Sequence, residues 1–235
     1  MSELVEHDSV KAARILSVAR ELVLKRGVRG ITIAEIAEKA HVGKGTVYLY
    51  WRSKEDLLVG LVARDFLAVL DETAAALTAA PDAVRPAQLC VRMVRTALLH
   101  PFVSALHTGD TDLLGLLAGD SRSQALLSTF GPGAQLYVVL PLWRRYDMAR
   151  TDWTLDDQVL ALRAVTTGFL ELTVRHDLVP DVPADVLDRV VPTTVTALLG
   201  PDRCSEDGVR AAADEGLGLL AEMRRAALAT MATPT

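Results

Sequence analysis

Residues 31–57, ITIAEIAEKAHVGKGTVYLYWRSKEDL, constrain the fold of this chain more than any other stretch. Thr32 and Glu35 form a T-x-x-E capping box, in which each side chain satisfies a backbone N–H left orphaned at a helix start. Behind the box, Ile33, Ile36, Ala37 and Ala40 fall on one helical face. His41-Val42-Gly43 breaks that spacing, and Lys44 to Trp51 resumes it. Ser53 and Asp56 then form a second box, S-x-x-D, at the start of a further helix. A short helix, a tight turn and a second short helix are the sequence form of a helix-turn-helix, whose second helix can lie in a DNA major groove.

The formal charge of −5 fits that reading only when it is divided along the chain. Residues 1–56 hold ten Lys or Arg against eight Asp or Glu, whereas residues 57–235 hold fifteen against twenty-two. Lys11, Lys25, Lys39, Lys44 and Lys54 all lie in the first part. Positive potential able to meet phosphate is thus gathered at one end, and the acidic remainder is repelled by DNA. Cys90 and Cys204 are too few and too far apart for a disulfide framework or a metal cluster, and are expected as reduced thiols in a cytoplasmic protein. There is no N-terminal apolar export segment and no apolar run of about 18 residues, so neither secretion nor a membrane span is expected.

Ala and Leu dominate a chain that is 50% hydrophobic but only 5% aromatic, which favours helix over sheet. A first helix capped by Asp8 or Ser9 carries an apolar face of Ala12, Ile15, Leu16, Ala19, Leu22 and Val23, and Lys25-Arg26-Gly27 supplies its basic last turn and stop. After the helix-turn-helix, Leu57, Leu58, Leu61, Val62, Leu67 and Leu70 pattern a long helix toward Ala80, and Pro81 and Pro86 mark a boundary. Helices are then expected over Ala87–Leu99, Phe102–His107, Asp112–Leu117, Ser121–Phe130 and Ala134–Arg150, the last with Pro141 inside it. Thr154 and Asp157 cap one more, running to His176. Pro183 fits the first turn of the next, which ends at Gly200-Pro201, and Glu206–Ala229 closes the series. No period-2 strand appears. The expected fold class is all-α.

The run Lys44-Gly45-Thr46-Val47-Tyr48, followed by Tyr50-Trp51 and Ser53-Lys54-Glu55-Asp56-Leu57-Leu58, resembles the tetracycline-repressor (TetR-like) family. The resemblance covers residues 10 to 58 strongly. Further on, it rests only on length and helix-rich apolar character. It implies a three-helix DNA-binding head, placed here at residues 8–53, on a helical ligand-binding and dimerising body at residues 54–235. It also implies a homodimeric repressor. Three positions depart from the usual pattern. His41 stands where the turn usually has Gly, and His is one of the few non-Gly residues enriched at positive φ. Gly43 replaces a Ser N-cap at a cost of a few tenths of a kcal/mol, and Trp51 stands where Phe is commoner.

For DNA, the candidates are Thr32, Lys44, Gly45, Thr46, Tyr48, Leu49, Tyr50 and Lys54. Lys44, at the start of the second short helix, would meet phosphate or guanine. Gly45 would allow close approach of backbone. The i, i+4 pairs Lys44/Tyr48 and Thr46/Tyr50 would line the outward half of that helix. Tyr48 would bond phosphate or pack on the first helix, and Thr32 would bond phosphate with help from the helix dipole. Lys54 reads as a phosphate clamp, and Leu49 as a thymine-methyl contact or a plain exposed residue. Val42, Val47 and Trp51 read as core. A dimer would present two such helices about 34 Å apart to a palindromic operator.

In the body, Phe66, Met93, Arg95, Phe102, His107, Tyr137, Trp143 and Phe169 are the candidates for an effector pocket, each with plain core as the alternative. The shortage of charge in Ala134–Trp143 points to an apolar effector. Leu155–His176 and Ala184–Leu199 would pair with their copies as a four-helix bundle, or else close the monomer core. His100, His107 and His176 have no partner at ligand spacing, so no metal and no cofactor is expected. No nucleophile–base pattern or phosphate loop supports an enzyme. Two readings remain: a DNA-binding regulator, and a helical small-molecule-binding protein that no longer reads DNA.

Overall fold

A computed structural model describes residues 9–110, 131–174 and 183–232. Ten α-helices and no strands are present among these residues. They are α1 (Val10–Arg26), α2 (Ile33–Lys39), α3 (Lys44–Tyr50), α4 (Lys54–Ala79), α5 (Pro86–Leu99), α6 (Pro101–Thr108), α7 (Pro132–Arg145), α8 (Leu155–Val174), α9 (Ala184–Leu199) and α10 (Glu206–Ala232). A 3-10 turn, Pro81–Val84, follows α4. The described residues fall into two compact units, one of residues 9–67, 101–110 and 225–232, the other of 68–100, 131–174 and 183–224.

In the first unit, α1 begins at Ser9, whose hydroxyl accepts from the Ala12 N–H, and ends at Gly27, where φ is +69°. Its apolar stripe of Ala12, Ile15, Leu16, Ala19, Leu22 and Val23 is entirely buried. Ile33, Ile36, Ala37 and Ala40 of α2 and the following turn are buried as well. At the start of α4, the Asp56 N–H donates to Ser53 Oγ at 3.1 Å, and the Asp56 carboxylate accepts from the Arg52 N–H. The apolar positions foreseen along α4, from Leu57 to Leu70, are buried too.

In the second unit, α5 packs on α9 and α8, and α8 packs on α7 and α9. Leu136, Leu140, Trp143, Leu162, Val191 and Val195 form the middle of this core. Helix α7 stops five residues before the expected Arg150. Asp147 takes a positive φ of 56°, and the chain turns away so that the Arg150 N–H reaches the Leu199 carbonyl at 2.7 Å. Gln158, fully buried, donates to the Arg150 carbonyl and holds this turn against α8. Pro183 sits one residue ahead of its expected place, as the N-cap of α9 rather than in its first turn. The helices expected over Asp112–Leu117 and Ser121–Phe130, the Asp8 cap and the end at His176 lie outside the described residues.

Candidate nucleic-acid interface

The turn between α2 and α3 is built by three residues. The Val42 N–H donates to the Ala37 carbonyl at 2.9 Å, and His41 takes φ +52°, a conformation His tolerates better than most side chains. Gly43 is the N-cap of α3 and offers no side-chain cap. Val47, fully buried, and Trp51 anchor α3 from within, and four residues of the helix are left outside.

Those outside are Lys44, Gly45, Tyr48 and Leu49, all exposed. Leu49 is 82% exposed, a high value for an aliphatic side chain on a short helix. A Cβ built on Gly45 meets nothing within 4 Å, so the protein's own packing does not require glycine there. The Thr46/Tyr50 pair, expected outward with Lys44/Tyr48, is instead half-buried. The Tyr50 hydroxyl lies 2.6 Å from Ser9 Oγ, which turns it from the surface toward the start of α1.

Thr32 is exposed at the N-terminus of α2 in a complete capping box. Its N–H donates to Glu35 Oε2 at 2.8 Å, and its hydroxyl accepts from the Glu35 N–H at 3.2 Å. Hydrogen bonds from the Thr32 side chain and backbone, with Arg26 nearby, hold the Glu35 carboxyl below its ordinary range. Lys54 is only half-exposed, and its ammonium donates to the Ile31 carbonyl at 2.6 Å, one residue before the α2 cap. Burial lowers its pKa, opposed by Glu55 and Glu35. Two of its three donors stay available to other acceptors.

The second unit contains a narrow cavity of about 90 Å³. Leu70 and Thr73 of α4, Met93 of α5, Val139 of α7, and Leu219 and Met223 of α10 are among its walls. Among the described residues, Thr73 and Gln135 are its polar lining residues, and the Thr73 hydroxyl already donates to the Val69 carbonyl. Of the eight residues expected to line an effector pocket, Met93 lines this cavity and Arg95 lines a second, more open one beside Asp188. Phe66, Phe102 and Trp143 are buried in packing, with Trp143 Nε1 donating to the Val84 carbonyl at 2.8 Å. His107 Nδ1 lies 2.8 Å from the Val103 carbonyl of its own helix. Tyr137 is 48% exposed with its hydroxyl on Asp156, Arg95 is exposed and paired with Asp188, and Phe169 packs on the core. Among the described residues, no group of three His, Cys, Asp or Glu side chains could hold a metal ion, and no single helix is long and apolar enough to cross a membrane.

Residues 15–61 match the family model described as "Bacterial regulatory proteins, tetR family". The head is thus similar to that family. Over 68 residues, 29% of its length, this chain is 35% identical to the HTH-type transcriptional repressor NemR of Escherichia coli K12 and covers 33% of that protein. Over 51 residues, 22% of the chain, it is 37% identical to the fatty acid metabolism regulator protein of Bacillus subtilis and covers 26% of it. The matches thus span a third or less of the curated relatives. A solved structure described as the fatty acid degradation regulator FadR from Bacillus halodurans shares the fold, with a TM-score of 0.61 over 84% of this chain and 98% of that one, at 18% identity.

Within the head, the Ser9–Tyr50 and Lys54–Ile31 links were not visible in the sequence, because each joins groups far apart along the chain. The lining contributed by α10 was equally hidden. Small residues such as Gly216 on its inner face carry no chemical signature of a wall.

Proposed function

We propose that this chain is a ligand-responsive transcriptional regulator, a repressor that binds a palindromic operator as a homodimer and leaves it when a small apolar effector fills the cavity of the second unit. The observation that carries this reading is α3 itself. Its inner residues, Val47 and Trp51, are anchored, while Lys44, Gly45, Tyr48 and Leu49 form an exposed outward face. In this reading Lys44, Tyr48 and Thr32 meet phosphate or base edges, and Leu49 meets a thymine methyl. Gly45 brings backbone close to the duplex, and Thr46 lies at the margin of the contact. Tyr50 and Lys54 act chiefly by fixing the geometry of the contact surface.

Dimerisation through α8 and α9 is supported by the outward residues of α8. Leu160 is 69% exposed and Leu172 41%, and Gly168 between them has open space where a partner helix could approach. Such a pair would set the two recognition helices about one helical turn of DNA apart. The aliphatic lining of the cavity supports an effector with a slender apolar chain whose polar end stays at the mouth, since no charged side chain among the described residues lines it. The fatty-acid regulators among its relatives agree with that chemistry. Effector binding would shift the population toward a dimer mis-spaced for the operator.

Gel shifts at several salt concentrations, with the promoter region flanking the protein's own gene, test this. A specific shift that weakens with salt is expected. A confirmed dimer with no specific shift at moderate salt would instead favour a helical small-molecule-binding protein. Mass spectrometry of a co-purified ligand would identify the effector.

A further inference from the structure

Helix α5 turns two faces toward open space, both within the second unit. Leu89 and Met93 line the narrow cavity, whereas Gln88, Arg92, Arg95, Thr96 and Leu99 line a groove on the adjoining face. Among the described residues none lines both. The groove has a volume of about 660 Å³, within the usual range for a small-molecule pocket. Asp188 and Pro192 of α9 form its opposite wall. Helix α9 runs antiparallel to α5, since Arg95 pairs with Asp188 near the start of α9, and Arg85, just before α5, pairs with Asp202, beyond the end of α9.

Gln88, Arg92 and Thr96 are spaced i, i+4 and i+8 on α5, so they form one row of side chains, a turn apart. Val91, Arg95 and Leu99 form a second row beside it. Thr96 is 6% exposed, yet its hydroxyl has no hydrogen-bond partner among the described residues. Thr73, Thr108, Thr166 and Thr194 by contrast each return a hydroxyl to the carbonyl one turn back in their own helix. Arg92 is exposed and likewise has no partner among the described residues. Both carboxylates of the groove are already engaged, Asp188 by Arg95 and Glu72 by His100 Nε2 at 3.0 Å. One guanidinium charge is therefore left uncompensated, with a nearly buried hydroxyl donor one turn away. Apolar surface lies beside them, at Val91, Pro192 and Leu99, the last 72% exposed.

We propose that this groove is a second ligand site, separate from the apolar cavity, and that it takes an organic monocarboxylate with a compact apolar body. The carboxylate accepts from the Arg92 fork, which matches it in plane with two parallel N–H···O bonds, and from the Thr96 hydroxyl. The apolar body covers Val91, Leu99 and Pro192. A polyanion is disfavoured, because a single charge is uncompensated and Glu72 and Asp188 stand in the same walls. The site is independent of the regulator reading above and holds whether or not the head binds DNA.

The test is a methyl-resolved NMR titration of the full-length protein with sodium phenylacetate, and with phenylacetamide as its neutral counterpart. The Val91 and Leu99 methyl signals should shift and saturate with a Kd of about 1 mM or below. Those of Leu89 and Leu219, in the cavity wall, should stay in place. Phenylacetamide should bind at least about tenfold more weakly, because it forfeits the charge-assisted bonds. Arg92 is exposed, so the fold survives its replacement, and Arg92→Gln should weaken phenylacetate binding by at least about tenfold. Thr96→Val keeps the side-chain shape without the hydroxyl and should weaken it by about three- to tenfold. Arg189→Gln alters an exposed arginine of α9 that pairs with Asp185, and should bind as the wild type does. Shifts confined to the cavity methyls overturn the proposal. Equal affinity for the acid and the amide does so too, as does an Arg92→Gln variant that binds unchanged. The absence of a saturable shift at Val91 and Leu99 also overturns it. If those methyls move with protein concentration instead, the groove is a contact between copies of the chain and the ligand site is refuted.

Discussion

The Tyr50 hydroxyl is hydrogen-bonded to Ser9 at 2.6 Å, which ties the last residue of α3 to the residue that caps α1. Because Ser9 Oγ also accepts the Ala12 N–H, a single hydroxyl closes one helix and orients another. Tyr50→Phe should therefore lower the unfolding free energy by about 0.5–1.5 kcal/mol, the usual net worth of such a bond, measured by urea denaturation. Operator affinity should fall while its dependence on salt stays the same, since no phosphate contact is lost. A salt slope smaller by about one would return Tyr50 to the phosphate-contacting set.

Gly45 offers a test in which stability and binding move in opposite directions. Its Cβ position is open space, so Gly45→Ala should stabilise the protein by about 0.5–1 kcal/mol through helix propensity. The same methyl should weaken operator binding if backbone lies close to the duplex there. Thermal unfolding and gel shifts on one variant give both numbers. A gain in stability with unchanged affinity would remove Gly45 from the interface.

The capping box of α2 predicts a pH dependence with a definite sign. The Thr32 hydrogen bonds hold Glu35 below its ordinary carboxylate range, so its contribution is present above the unfolded pKa and is lost as pH falls through the lower folded value. Wild type should exceed Glu35→Gln in stability at neutral pH, and the two should converge in acid. Urea titrations of both proteins across the acidic range check this. A difference that stays constant with pH would assign the box's effect to geometry rather than charge.

The parts of this fold that could be read in advance are those decided within a few residues. The six-residue apolar face of α1, the Thr32/Glu35 box, the stop at Gly27 and the positive φ at His41 all follow from spacing or from the chemistry of one side chain. A large side chain on a helical face fills a core as readily as it lines a space, and its spacing does not tell the two apart. Phe66, Phe102 and Trp143 are accordingly buried, whereas the cavity wall is mostly aliphatic. Nothing local announces that Lys54 will find the Ile31 carbonyl or Asp65 the Phe102 amide, because those acceptors and donors are backbone groups brought near by tertiary packing. The early end of α7 has the same origin, since residues 146–150 trade helical bonds for pairing with Leu199 and Arg203.

Trp143 separates core from ligand wall. It is fully buried, and its indole N–H donates to the Val84 carbonyl. Trp143→Phe should cost at least about 1–3 kcal/mol, the penalty for stranding a buried acceptor, before any lost packing is counted. Operator affinity per folded molecule and the identity of any co-purified ligand should not change. A variant of unaltered stability that no longer retains the ligand would place the indole in the binding site.

Lys44 and Lys54 share a charge but not a setting, and their alanine variants should part company. Lys44 is exposed at the first position of α3, so Lys44→Ala should leave stability within about 0.5 kcal/mol. It should also weaken operator binding and reduce the salt slope by about one, the signature of a lost phosphate contact. Lys54 holds the Ile31 carbonyl beside the α2 cap, so Lys54→Ala should destabilise the head by about 1.5–3 kcal/mol, the range for a bond to a charged donor. If its spare donors also reach the duplex, the salt slope falls as it does for Lys44. If the ammonium only sets the angle at which α2 enters, affinity drops at every salt concentration and the slope is preserved. Binding isotherms at a series of ionic strengths, paired with urea unfolding of each variant, distinguish the two roles.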